Sequence, residues 1–138
     1  MLRYTLLHPQ ILATLGAAGH GSQILIADSN YPFSTGAHPD ADRVFLNVAP
    51  GLVSLTDVLR VITKAVPIES AQAIHPLEGD DPAIFAEYKT LLPDIEVEKI
   101  GRFPFYDAAR SASTALVVAT GEQRTWSCIL LTIGVVLE

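Results

Sequence analysis

The stretch Ala17-Ala18-Gly19-His20-Gly21-Ser22-Gln23-Ile24-Leu25-Ile26-Ala27-Asp28 decides how the chain is read. It holds a helix end, a histidine between two glycines, a short apolar run, and an aspartate where the run stops. Upstream, Ile11, Leu12 and Leu15 recur at helical spacing, which predicts a helix over residues 7–16 with Gly19 as its stop. Residues 24–27 are unbroken apolar sequence, the pattern of a strand buried on both faces. Open α/β sheets place their ligands at the ends of such strands. His20 and Asp28 then stand at opposite ends of one strand. They share a pocket only if the loop after Gly21 folds back or a second subunit contributes.

Two roles are open to His20 on local grounds. Just past a helix C-terminus, it stands at the negative end of the macrodipole, a setting that suits a proton donor near neutral pH. Alternatively Gly-His-Gly simply ends the helix and the ring covers its last carbonyls.

Outward from this stretch the elements alternate. Residues 28–42 form a long loop of small and polar residues with Pro32, Gly36 and Pro39. Long ordered loops are often binding loops. A strand is expected at 44–48, a turn at Pro50-Gly51, and a helix from an N-cap at Ser54 to about Ala65, with Leu55, Val58, Leu59 and Ile62 as its apolar stripe. Residues 68–74 read as a strand ending at His75-Pro76. Pro82 is expected to open a helix running to Leu92. Residues 95–100 alternate cleanly, so one face of that strand is wet. Residues 103–111 carry aromatics on a helix or a pair of turns, 115–119 are another buried strand, 120–125 a polar turn, and 128–137 the last strand or strand pair. Strands alternating with helices predict a single α/β domain over residues 1–138, a three-layer α/β/α sandwich.

With 138 residues the chain is long enough to bury a real core. Its 49% apolar content suggests that further surface is hidden between subunits. A net charge of −6 without any Lys/Arg cluster excludes nucleic acid as the expected partner. Cys128 is the only cysteine, so neither an intrachain disulfide nor a thiolate metal site is expected. His8-Pro9-Gln10 interrupts the apolar N-terminus, which argues against a signal peptide, and no apolar run approaches the ~20 residues of a membrane span. A cytoplasmic location is expected. His8, His38 and His75 are read as structural. A site built from His20, His38 and His75 matches no standard ligand spacing, so no metal is expected. The chain holds no G-x-x-x-x-G-K-[ST], G-x-G-x-x-G or H-E-x-x-H string, and no cofactor is expected.

Gly19-His20-Gly21 followed by Ile26-Ala27-Asp28-Ser29-Asn30-Tyr31-Pro32 resembles the opening motif of the ribose pyranase/fucose mutarotase (RbsD/FucU) family. Arg102-Phe103-Pro104-Phe105-Tyr106 with Ala109-Arg110, then Thr120-Gly121-Glu122, Ile129-Leu130-Leu131 and Gly134-Val135 continue the resemblance in order along the whole chain. It implies a mixed rather than purely parallel sheet. It also implies an isomerase that interconverts forms of a reducing monosaccharide, and a homo-oligomeric ring, often a decamer of two stacked pentamers, with sites at subunit interfaces. By the motif, His20 is the catalytic acid/base and Asp28 a sugar ligand; otherwise Asp28 caps a turn. Arg102 matches the sugar-binding arginine of the fucose-type branch, which brings the chain closer to that branch; otherwise it pairs with Glu98 or Asp107. Tyr106 falls near a second histidine of the ribose-type branch, and with Phe103 and Phe105 it reads equally as a core aromatic.

The chain departs from the pattern at Trp126-Ser127-Cys128, where the family typically has Tyr-x-Asn. Trp126 offers a larger stacking face without the phenol. Cys128 replaces an amide that both donates and accepts, so the accepted hydroxyl pattern is expected to differ. Three readings follow: a mutarotase acting on L-fucose or a related deoxy or methylated pyranose, a sugar-binding protein of the same fold without catalysis, or an isomerase of another carbonyl compound.

Overall fold

A computed structural model describes residues 1–138. In chain order the elements are α1 (Pro9–Ala17), β1 (Gln23–Ala27), β2 (Asp42–Phe45), α2 (Leu55–Ala65), β3 (Ile68–Ile74), α3 (Ile84–Leu91), β4 (Val97–Ile100), α4 (Arg102–Ala109), β5 (Thr114–Ala119) and β6 (Ile129–Ile133). One sheet takes all six strands in the order β2-β5-β1-β6-β3-β4. The β2–β5, β5–β1 and β3–β4 pairs are parallel, and β6 runs antiparallel to both β1 and β3. The sheet is mixed, as expected.

The unbroken apolar runs become the central strands because both sheet faces are covered. Side chains alternate across a strand. Ile24, Ile26, Leu116, Val118, Ile129 and Leu131 therefore meet Leu55, Leu59 and Ile62 of α2, Phe85 and Tyr88 of α3, and Ile11 of α1. Leu25, Ala27, Val117 and Leu130 point the other way, onto Phe105 and Ala109 of α4 and onto Tyr31, Ala37 and Ala41 of the long loop. The nine residues at the centre of β1, β5 and β6 are each at most 1% exposed. Each aliphatic side chain among them contributes about 1.5–3 kcal/mol relative to exposure. At the edge, β4 shows the wet face its alternation predicts: Glu98 and Lys99 are exposed.

Several boundaries move. The first helix begins at Pro9, with the His8 ring as its N-cap, Nδ1 accepting from Ile11 N–H at 3.4 Å. It is Gly21, not Gly19, that takes the left-handed backbone (φ +81°). Strand β2 stops at Phe45 because residues 46–53 close a tight loop, with Val53 N–H returning to the Leu46 carbonyl at 3.1 Å. Pro82 forms a lead-in turn, its carbonyl accepting from Phe85 N–H, and the helix proper starts at Ile84. Residues 102–109 form one helix, and β6 ends at Ile133. No helix is long and apolar enough to cross a membrane.

The long loop is ordered by one side chain that no local pattern singles out. Arg43 donates to the carbonyls of Phe33 (2.9 Å), Ala41 (2.8 Å), His38 (3.2 Å) and Ala37 (3.3 Å). Tyr31 closes the first turn, its hydroxyl donating to the Gly36 carbonyl at 2.6 Å. A Cβ on Gly36 would stand 2.7 Å from Tyr31 Cε1 and 2.8 Å from the Pro32 carbonyl oxygen. Gly36→Ala should therefore lose about 1–3 kcal/mol in chemical denaturation. Gly16→Ala, inside α1 with nothing within 4 Å of its Cβ position, should gain roughly 0.5–1 kcal/mol in the same measurement.

Candidate functional site

The C-terminal edge of the parallel strands carries a cavity of about 410 Å³ lined by Asp28, Asn30, Tyr31, Ile74, Arg102, Tyr106, Thr125, Trp126 and Cys128. Topology explains the collection. Asp28 directly follows β1, Ile74 ends β3, and Arg102 and Tyr106 open the helix after β4. The antiparallel β6 begins where its neighbours end, so its entry segment 125–128 closes the remaining side. Ile26 opposes Ile129, which sets Cys128 beside Asp28. Five of the residues singled out in the sequence thus meet in one cavity: Asp28, Arg102, Tyr106, Trp126 and Cys128. Asn30, Tyr31, Ile74 and Thr125 were not singled out. Asn30 lies inside the motif that contains Asp28, the one signal that pointed to it.

Asp28 is 5% exposed. Its Oδ1 accepts from Asn30 N–H at 2.9 Å, the turn-capping bond expected of an aspartate after a strand. Ser127 Oγ lies 3.4 Å from Oδ2 and donates to the Arg124 carbonyl, and Asp28 lines the cavity. Asp28 thus caps its turn and also lines the cavity. Cys128 turns its sulfur to the Asp28 backbone, accepting N–H at 3.3 Å. Burial pushes its thiol well above the usual range, with the Asp28 carboxylate adding to the effect. The thiol stays protonated, and Cys128 and Ile74 both line the cavity.

Arg102 forms no ion pair with Glu98 or Asp107; its guanidinium lies 5.3 Å from the centre of the Trp126 ring. A cation on an aromatic face retains free N–H donors at its rim. Tyr106 packs edge-on against Tyr31 and Phe103 and also lines the cavity, so it is partly a packing residue, while Phe105 is fully core. The Tyr31 phenol is held up by burial and spent on the Gly36 carbonyl, so Tyr31 shows the cavity its ring.

Trp126 adopts φ +59°, an unusual conformation for a bulky residue. The segment around it is over-determined by contacts the sequence did not disclose. Arg124 grips Glu122 with Nε on Oε1 (3.0 Å) and NH2 on Oε2 (2.8 Å), and its NH1 reaches Glu87 of α3. Glu122 is 5% exposed and also accepts from Arg124 N–H at 3.0 Å and from Leu55 N–H, at the start of α2, at 3.4 Å. Tyr88 donates its hydroxyl to the Ser127 carbonyl. One clamp thus ties the cavity wall to two helices.

His20 is not in this cavity. It lies at the opposite edge of the sheet, with the five residues of β1, on the order of 15 Å, between it and Asp28. Its ring does not cap α1, whose Thr14 carbonyl is taken by Ala18 N–H. Instead Nε2 stands 2.8 Å from Glu69 Oε2. His75 is buried, with Nδ1 accepting from Leu77 N–H and Nε2 meeting Asp81; His38 Nδ1 accepts from Asp40 N–H. Neither ring lines the cavity.

A mixed six-stranded sheet with a polar cavity at the C-terminal strand ends defines an α/β protein with a cavity where open α/β sheets place their ligands. The family model described as RbsD / FucU transport protein family matches residues 1–136, and the chain belongs to that family. It is 29% identical over 137 residues to the D-ribose pyranase of Bacillus cytotoxicus, covering 99% of both chains. Among solved structures it superposes on fucose mutarotase from Streptococcus pneumoniae in complex with L-fucose with a TM-score of 0.81, at 28% identity over 94% of each chain. On Bacillus subtilis RbsD complexed with D-ribose the TM-score is 0.85, at 22% identity over 99% of this chain and 100% of that one, a likeness of fold.

The clamp makes the cavity wall sensitive to acid. Arg124 holds the Glu122 and Glu87 carboxyls below their ordinary value of 4.5. Their contribution to stability is therefore complete above that pH and is lost as pH falls below it. Arg124→Met strands a buried carboxylate and should lower stability at neutral pH by about 2–3 kcal/mol, at the low end for a broken buried pair because Arg124 is 38% exposed. Urea titrations from pH 7 to 3 should show the variant's deficit shrinking as Glu122 protonates.

Proposed function

We propose that the chain is a cytoplasmic mutarotase that interconverts forms of a reducing monosaccharide, L-fucose or a related deoxy or methylated pyranose being the best match to the cavity. The observation that carries the reading is the pairing, in one cavity, of the Asp28 carboxyl with the Arg102 guanidinium stacked on Trp126. A carboxylate accepts from two vicinal hydroxyls, a guanidinium rim donates to others or to the ring oxygen, and the indole lies against the apolar side of a pyranose. The Ile74–Cys128 floor suits a methyl group better than a hydroxyl.

The reaction needs only a proton relay. A base takes the proton of the anomeric hydroxyl, the bond from the anomeric carbon to the ring oxygen breaks, and the ring oxygen receives a proton. The open aldehyde rotates about its first carbon–carbon bond and the steps reverse, so protons and electrons balance. His20 fits the relay, and its distance from Asp28 makes it a residue supplied to the cavity by a second copy of the chain. Exposed apolar side chains stand at both edges of the sheet, Phe103 (72%) beside the cavity and Val136 and Leu137 (both 84%) beyond the His20 edge. Joining two different edges is a head-to-tail contact, and such contacts close into rings. This supports the expected pentamer-based assembly.

Anomeric-proton exchange by NMR with L-fucose, D-ribose and other aldoses tests the reading. Exchange above the buffer rate, reduced by about 10²–10⁴-fold in His20→Ala, is expected. His20→Ala and Asp28→Asn, each inactive alone, should regain partial activity when unfolded together and reassembled. A monomer by light scattering, at the 14.8 kDa of one chain, would overturn the shared site. Clear sugar binding without accelerated exchange would favour the second reading, a sugar-binding protein of this fold, which the Trp126-Ser127-Cys128 departure motivates.

A further inference from the structure

We propose that Arg124 is the positioning residue of the cavity wall, holding residues 123–127 so that Trp126 stands against Arg102 and Ser127 against Asp28; the proposal rests on the mutarotase reading. Between Glu122 and Cys128 the chain has no helix or strand, and no backbone-to-backbone hydrogen bond reaches residues 123–127. Side chains hold the segment instead, and most of their bonds involve Arg124. Its N–H donates to Glu122 Oε1 at 3.0 Å, and its guanidinium closes a fork on both Glu122 oxygens and reaches Glu87. Its carbonyl accepts from Ser127 Oγ. Beyond these, the Tyr88 hydroxyl on the Ser127 carbonyl and the approach of Ser127 Oγ to Asp28 complete the set. Trp126 follows two residues on with φ +59°, a conformation that a bulky side chain keeps only where its surroundings enforce it. Thr125 between them is exposed, so Arg124 is the last fixed point before the indole.

Stability alone does not account for this arrangement. Neutralising the buried Glu122 carboxylate takes only a positive charge, which a lysine would also supply. What requires the planar guanidinium is direction, because a two-point fork fixes one orientation of the side chain on its carboxylate. The third contact, to Glu87, turns that plane toward α3; it joins partners 38% and 43% exposed and adds little to folding. The geometric consequences fall on the ligand side. The Trp126 ring centre is 5.3 Å from the Arg102 guanidinium, and both residues line the cavity with Asp28. Released at Arg124, Trp126 relaxes from its left-handed backbone, and Arg102 loses the aromatic face that aims it. An aromatic wall touches a sugar before and during ring opening alike. Its misplacement therefore weakens binding and raises KM, with little change in kcat.

The test compares the full-length wild type with Arg124→Met and with the double variant Arg124→Met/Glu122→Gln. The double variant lacks the fork but strands no buried charge, so it should recover most of the lost stability. Each protein carries fluorotryptophan, whose single ¹⁹F resonance reports Trp126, and each is assayed for anomeric exchange of L-fucose. Wild type should give one narrow resonance. Arg124→Met should broaden or split it and raise KM by roughly 3- to 10-fold, the range for one aromatic contact, with kcat within about twofold. The double variant should regain the wild-type urea midpoint but neither the resonance nor the KM. A double variant that regains all three, or an Arg124→Met that keeps the wild-type resonance and KM, overturns the proposal. A wild type that exchanges no sugar defeats the mutarotase reading instead, and the resonance then decides the positioning by itself.

Discussion

The register between β1 and β6 is the constraint on which the rest of the molecule depends. Five strands run one way, and β6 runs back between two of them. Its entry must therefore sit at the edge where the other strands finish, and its exit at the edge where they begin. Ile26 opposite Ile129 brings Ser127 and Cys128 against Asp28 at the first edge. Ile133 against the Gly21–Ser22 turn brings Glu69 against His20 at the second. A slip of one residue would turn every β6 side chain to the opposite face of the sheet, exchanging Leu130 with Ile129 and Leu131 and emptying both cores at once.

The two edges divide the chemistry. The cavity edge holds the Asp28 carboxyl, the Arg102 guanidinium and a Cys128 thiol kept protonated by burial. The other edge holds the imidazole. The candidate groups are thus split between the two ends of the sheet rather than gathered in one cavity.

Much of this was legible in the sequence where the information is local. The strands at 24–27, 68–74 and 115–119 were readable because burial on both faces leaves an unbroken apolar run, and α2 because its stripe repeats at helical spacing. Asp28, Arg102, Tyr106, Trp126 and Cys128 could be chosen individually, and the separation of His20 from Asp28 followed from the length of the strand between them. What escaped was decided by distant contacts. Arg43 looks like any strand arginine until the loop curls its carbonyls around it. Glu122 and Arg124 look like solvent-facing turn residues until Glu122 is buried beside α2 and Arg124 folds across it to Glu87 of α3. Glu69 reads as the polar member of an alternating strand. Gly19 and Gly21 are equivalent stops on paper, and the bond from Gly21 N–H to Ile133 selects the second.

The stacked Arg102–Trp126 pair has a consequence for optical work. Trp126 is the only tryptophan in the chain, so all indole emission comes from the cavity wall, quite apart from the protein's four tyrosines. A guanidinium on its face and a half-open cavity at its edge make that emission responsive to whatever displaces water there. The protein therefore carries a single indole fluorophore on the wall of the cavity, with no indole background from the core.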